Sequence, residues 1–272
     1  MVLNLQTGVN LDWTYHIAPT CWHGCMKLIN GDQNMLGKRF SAMGAALLIS
    51  CGQLSAIEQV SGINQITFHD EQYSKPFAGN GFLIEYRKKV YAVTVKHTLL
   101  EARTPDMLGV RIAEHVSGWQ IHPNQLPQQS VELGKLLNSD AEEKLDMGIL
   151  QKDWLIFEVK NNNSNLAVLT LRSTPLVKGE TLSAYGCSYA NAESCQQDTY
   201  TGQFISNVDA NLRMSLDNME FAQLRGLSGS PVLDENNQVV GIVSNILPSE
   251  SSEGFDFAPA NLDYLIEVLS TL

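Results

Sequence analysis

From about residue 57 onward, apolar and polar positions alternate in short runs broken by turn-forming clusters. That period belongs to strands rather than helices. "GNGFLIEY" (79–86), a charged turn at Arg87 to Lys89 and "VYAVTV" (90–95) predict a hairpin. "DWLIFEVK" (153–160) predicts a further strand, and "NNNSN" (161–165) a polar turn rather than a linker. "LAVLTL" (166–171), "ETLSAYG" (180–186), "GQFISNV" (202–208) and "GFDFAP" (254–259) continue the series. "PVLDENNQVVGIVS" (231–244) predicts a second hairpin turning at Asp234 to Asn237, with Val and Ile supplying strand preference. Only the last segment, "NLDYLIEVLSTL" (261–272), has helical spacing: Asn261 can cap, and Leu262, Leu265, Ile266 and Leu269 fall on one face. Residues 101–145 carry no regular pattern and are expected to form surface loops. Many short strands at close spacing predict an all-β protein, a sandwich or barrels.

The chain has 272 residues, 44% of them hydrophobic and 17% charged, enough to bury a sizeable core. Its formal net charge of -11 argues against nucleic acid as a partner, which needs a basic footprint. "MLGKRFSAMGAALLISCGQ", from Met35, has the layout of an export signal: Lys38 and Arg39, then an apolar stretch from Ser41 to Ser50. "LISC" (48–51) resembles a lipoprotein cleavage box, which would leave Cys51 as a lipid anchor. A buried helix near the N-terminus is the competing reading. Export divides the chain into a leader (1–56) and a folded domain (57–272), and places the protein in the bacterial periplasm or cell envelope. Cys187 and Cys195, eight positions apart, can pair in such a compartment. Cys21 and Cys25 have half the spacing of a zinc site but no second half, so no metal and no cofactor is expected.

Candidate chemistry centres on "RGLSGSPVLDENNQVVGIVSN" (225–245), where Ser228 stands between Gly226 and Gly229. A serine hydroxyl is a poor nucleophile without a base, usually an imidazole held in one tautomer by a carboxylate. It also needs backbone N–H groups aimed at the developing oxyanion, and glycines let that loop turn tightly. The G-x-S-x-G elbow of α/β-hydrolases fits poorly, because position 230 is serine and Pro231 with a hairpin follows instead of a helix. Among six histidines, His97 stands out at the end of an apolar strand, before a short helical turn. His16 and His23 lie in the leader, and His69, His115 and His122 in polar stretches expected to be exposed loops.

"GNGFLIEY…VYAVTVKHTL", "DWLIFEVK…LVKGETLSAYG" and "GLSGSPVLDENNQVVGIVS", in this order, resemble the trypsin/chymotrypsin-like serine peptidases over roughly residues 75–270. The resemblance is to their bacterial, disulfide-poor, HtrA-like branch. It implies two six-stranded antiparallel β-barrels with a C-terminal helix, the barrels meeting near residues 165–180. It implies a serine endopeptidase acting on protein or peptide substrates, with His97, an aspartate and Ser228 as its triad. Asp153 and Asp146 compete for the third role; the strand order that follows favours Asp153. The N–H groups of Gly226 and Ser228 would form the oxyanion hole. Substrate would lie against Ser244, Asn245 and Ile246, with Ala222 at the pocket floor. Two departures are informative. Leu227 replaces an aspartate that pairs with a newly cut N-terminus in the digestive enzymes, and Ala222 offers no carboxylate to select Lys or Arg. Cleavage after small or medium apolar residues is therefore expected. A catalytically silent relative that binds peptides in the same cleft is the alternative.

Overall fold

The computed structural model describes residues 59–217, 221–249 and 254–272. The leader, the export signal, Cys21, Cys25, Cys51, His16 and His23 lie outside the described residues.

Six strands form the first barrel: β1 (Gly62–Phe68), β2 (Asn80–Tyr86), β3 (Lys89–Thr94), β4 (Val116–His122), β5 (Val131–Leu136) and β6 (Leu155–Asn162). Their order is β1-β4-β5-β6-β3-β2, every neighbour antiparallel, and β2 pairs back onto β1 to close the ring. The β2–β3 hairpin turns on Arg87 and Lys88, both at positive φ (47° and 66°), which matches the right-handed twist of the flanking strands. A single strand, β7 (Val168–Leu171), follows. It pairs in parallel with β2 on one side and with the second barrel on the other.

The second barrel comprises β8 (Thr181–Gly186), β9 (Asp198–Val208), β10 (Asn211–Met214), β11 (Pro231–Leu233), β12 (Gln238–Pro248) and β13 (Phe255–Ala260). These run in the order β12-β11-β8-β9-β10-β13, again antiparallel, and β13 closes onto β12. The described chain is thus all-β, two six-stranded barrels followed by a C-terminal helix, α2 (Asp263–Ser270).

Strand β2 shows why its sequence reads as an unbroken apolar run. Leu83 points into the first barrel's core, while Phe82 and Ile84 point outward into a second cluster. That outer cluster also contains Trp154 and Ile156 before and in β6, Leu233, Val239 and Ile242 of the second barrel, and Leu265 and Leu269 of α2. Leu265 and Leu269 are buried, but Ile266 faces solvent at 39% exposure, contrary to expectation: the helix lays a narrower stripe on the barrels than its spacing implied. The N-cap is Leu262 and not the expected Asn261, which stands one residue earlier and accepts from the Asp263 N–H at 3.1 Å.

The stretch 101–145 is not a set of loops. It supplies β4 and β5, and their alternation is masked by irregular pairing, with register shifts beside Glu132 and between Leu133 and Leu136. Bulges bend a strand to the barrel's curvature and spoil the two-residue period. His122, at the end of β4, is accordingly buried rather than exposed, its Nδ1 bonded to the Pro123 carbonyl at 2.8 Å. Strand β6 also continues to Asn162, two residues into the predicted polar turn.

Candidate active site

Each half of the cleft is delivered by a barrel strand. Beyond β3 the chain continues through Val95 and Lys96 to His97, then turns into a short helix, α1 (Thr98–Ala102). Val93 and Val95 are buried in the inter-barrel cluster, which fixes the strand end from which the imidazole projects. Lys96 is wholly buried. Its Nζ reaches both carboxylate oxygens of Glu143 at 2.7 Å and lies 4.7 Å from the centre of the Tyr264 ring. Asp153 stands just before β6 at 1% exposure, and the next residue, Trp154, is buried in the inter-barrel cluster and donates through Nε1 to the Asn261 carbonyl at 2.9 Å.

Three side chains converge. His97 Nδ1 is 2.6 Å from Asp153 Oδ2, and His97 Nε2 is 2.7 Å from Ser228 Oγ. Asp153 Oδ1 also accepts the His97 backbone N–H at 2.9 Å, and Oδ2 accepts the hydroxyl of Ser244. An ionised carboxylate can only accept, so Nδ1 carries the proton; the neutral ring then presents Nε2 as acceptor for the serine O–H. Burial works against a charged imidazole at His97, but the charge of Asp153, its hydrogen bond and the charge of Glu101 outweigh it. The net effect raises His97 above its ordinary value of 6.5. Asp146, the competing aspartate, is exposed and caps a turn, accepting the Gly148 N–H at 2.8 Å.

The loop bearing Ser228 is held from both sides. Gly226 and Gly229 adopt φ of 94° and 85°, which other residues rarely reach. A Cβ at Gly226 would also meet the Tyr189 nitrogen at 2.6 Å, and one at Gly229 would strike the Asn80 carbonyl. Leu227 is fully buried among Leu182, Leu212 and Val232, so packing in the second barrel anchors this loop where an ion pair is absent. Among the described residues, neither the Gly226 nor the Ser228 N–H has an acceptor, and both residues line the cavity containing His97. Two N–H donors beside a serine hydroxyl are what a tetrahedral oxyanion requires.

Two recesses flank Ser228. One, of about 330 Å³, is lined by His97, Phe77, Tyr189, Glu101 and Arg225. The other, of about 210 Å³, is lined by Leu224, Val243, Ser244, Asn245, Ile246 and Phe257. Ser244 therefore sits at the expected rim, but its hydroxyl serves Asp153. From Ser244 onward β12 pairs only with β13, leaving its other edge open among the described residues. Ala222 falls in a short turn, Phe221–Leu224, and its side chain lies outside the described ones. Cys187 and Cys195 are joined in a disulfide that closes the segment carrying Tyr189.

A family model described as a trypsin-like peptidase domain matches residues 79–242, more than half of the chain. The chain belongs to this family. The matched span contains His97, Asp153 and Ser228, and all of the strands that present them. Among solved structures, a Glu endopeptidase in complex with MPD is similar at 16% sequence identity and a TM-score of 0.53. The match covers 79% of this chain and 91% of that one, and at this identity it shows a shared chymotrypsin-like fold. Among curated proteins there is no match. Two features of the trypsin-like cleft were missed in the sequence, the Ser244 hydroxyl on Asp153 and the buried Lys96 beside His97. Both depend on partners far along the chain, and no local pattern marks them.

Proposed function

We propose that the protein is a serine endopeptidase. The observation that carries this reading is the relay from Asp153 through His97 to Ser228, with separations of 2.6 and 2.7 Å. Nε2 of His97 takes the Ser228 proton as Oγ attacks the scissile carbonyl. Asp153 holds the ring and stabilises the imidazolium, and the N–H groups of Gly226 and Ser228 receive the oxyanion. The imidazolium then protonates the leaving amine as the C–N bond breaks. Water, deprotonated by the same nitrogen, hydrolyses the acyl-enzyme. An extended substrate adds along the open edge of β12 at Asn245 and Ile246. The apolar lining of the 210 Å³ recess favours a small or medium apolar residue before the cut.

Reaction with a fluorophosphonate probe tests the reading. Wild type should label and Ser228→Ala should not. Absence of labelling between pH 6 and 9 would instead make the cleft a peptide-binding site without catalysis. The signal-like segment and the Cys187–Cys195 bond together support an exported protein, lipid-anchored at Cys51, since disulfides persist in oxidising compartments. Mass spectrometry of the mature N-terminus should find Met1 removed.

A further inference from the structure

Asn80 is a buried amide at the seam between the barrels, 1% exposed, and every polar atom it owns is engaged. Its Nδ2 donates to the Gly226 carbonyl at 2.7 Å and to the Cys187 carbonyl at 3.0 Å, while Oδ1 accepts the Cys187 N–H at 3.0 Å. Its backbone N–H donates to the Ser228 carbonyl at 2.7 Å, and its own carbonyl accepts from Thr94 Oγ1 and Asn64 Nδ2. One residue of the first barrel thus holds the nucleophile loop of the second at two points.

The direction of the Gly226 N–H depends on the peptide planes around that residue. The plane before it is held by the Arg225 carbonyl, which accepts from the Tyr189 N–H at 2.8 Å. The plane after it is held by Asn80 Nδ2 on the Gly226 carbonyl. Tyr189 belongs to the segment starting at Cys187, which Asn80 grips by both its N–H and its C=O. Both planes therefore trace back to one side-chain amide. Gly226, without a Cβ and at φ 94°, has little of its own to keep that geometry.

We propose that Asn80 is the positioning residue of the oxyanion hole: its carboxamide fixes the Gly226 N–H without touching substrate. The inference rests on the peptidase reading above. Replacing Nδ2 removes the restraint on both planes, so the loss falls on the transition state, where the oxyanion develops, and not on ground-state binding.

The test compares wild type with Asn80→Ala and Asn80→Asp, the latter having the same shape but an oxygen facing two carbonyls. In Asn80→Ala, kcat on a peptide substrate should fall about 100-fold, the scale of one lost oxyanion donor. KM should stay within about threefold. Affinity for a peptidyl boronate, whose tetrahedral adduct on Ser228 fills the hole, should fall in parallel with kcat. Affinity for the cleaved product peptide should not change. Asn80→Asp should lose at least as much. A purely structural role would not separate boronate from product binding, so equal losses of the two would overturn the inference, as would unchanged kcat. If Asn80→Ala does not fold, Asn80→Asp decides alone; if neither folds, the side chain serves the fold at large and the inference fails. The two readings fail separately. A wild type inert to fluorophosphonate and to peptides overturns the peptidase reading and this inference with it. An active wild type with undiminished Asn80 variants overturns this one only.

Discussion

His97 stands between two influences of opposite sign, and the balance makes its behaviour with pH predictable. Burial disfavours the imidazolium, but the paired Asp153 and the nearby Glu101 favour it more, so its folded value lies above 6.5. Attack needs the neutral ring. The acid limb of kcat/KM, which reports the free enzyme, should therefore fall above pH 6.5, with activity lost as pH drops through it. Stability runs the other way: the pair's contribution is fully present below the unfolded value and disappears as pH rises through the raised one. Asp153→Asn removes both the charge and the enforced tautomer. Its kcat should drop by about 10⁴-fold, the scale known for such a change in a triad. Asp146→Asn, which touches only a turn, should leave kcat near wild type; equal kcat for wild type and Asp153→Asn would refute the assignment. Ser244→Ala strips one donor from a carboxylate that keeps two others, a hydrogen bond to a charged group worth about 2 kcal/mol. A loss of roughly tenfold in kcat is expected from it, since not all of that energy is specific to the transition state.

The loop from Arg225 to Ser230 shows what can be read locally and what cannot. Gly226, Ser228, Gly229 and Pro231 announce a rigid turn before a hairpin, and the structure has that turn, with both glycines at positive φ. What anchors the turn comes from elsewhere: Leu227 in the second barrel's core, Tyr189 on the Arg225 carbonyl, and Asn80 across the seam. Nothing local in "GNGFLIEY" marks Asn80, because its side-chain partners lie more than a hundred positions away. The strands β2, β3, β6 and β11 were legible because each is short, apolar and bounded by turn residues. β4 and β5 were not, because bulges break their period and polar residues such as Ser117, Gln120 and Glu132 interrupt their apolar alternation. Two measurements follow. Leu227→Ala leaves a cavity where the loop is anchored and should cost about 3 kcal/mol in denaturant unfolding. Opening the Cys187–Cys195 loop with a double serine substitution should cost about 2.5 kcal/mol by chain entropy alone. It should also lower kcat, because the Tyr189 N–H would then be held against Arg225 by the Asn80 grip on residue 187 alone; a pair of serines with full activity would show that the backbone bonds suffice.

The proposed catalysis depends on two barrels behaving as one body, since His97 and Asp153 come from the first and Ser228 from the second. Within the described residues they are joined by β7 paired to both, by the Asn80 strap and other hydrogen bonds such as Asn124 to the Ala192 and Cys195 carbonyls, and by the apolar cluster between the barrels. The cluster is the largest of these in energy. A fully buried leucine is worth about 2 kcal/mol against exposure, and the cluster gathers many such side chains. Helix α2 closes it from outside, with Leu265 and Leu269 fully inserted and Tyr264 over Lys96, the residue before His97. Because strands of both barrels share this core, neither can unfold and leave the other with its apolar face covered. Calorimetry should therefore show one transition. Leu265→Ala, which hollows the shared core, should cost about 3 kcal/mol. At 2–4 °C per kcal/mol for a chain of this size, that lowers Tm by roughly 6–12 °C. Leu212→Ala hollows the second barrel's own core and makes the sharper comparison. It should shift the same single transition, with activity and ellipticity lost together on heating. If Leu212→Ala instead splits the trace into two transitions, with the first barrel melting at its wild-type temperature, the barrels are independent. The shared core would then not be what holds Ser228 against His97.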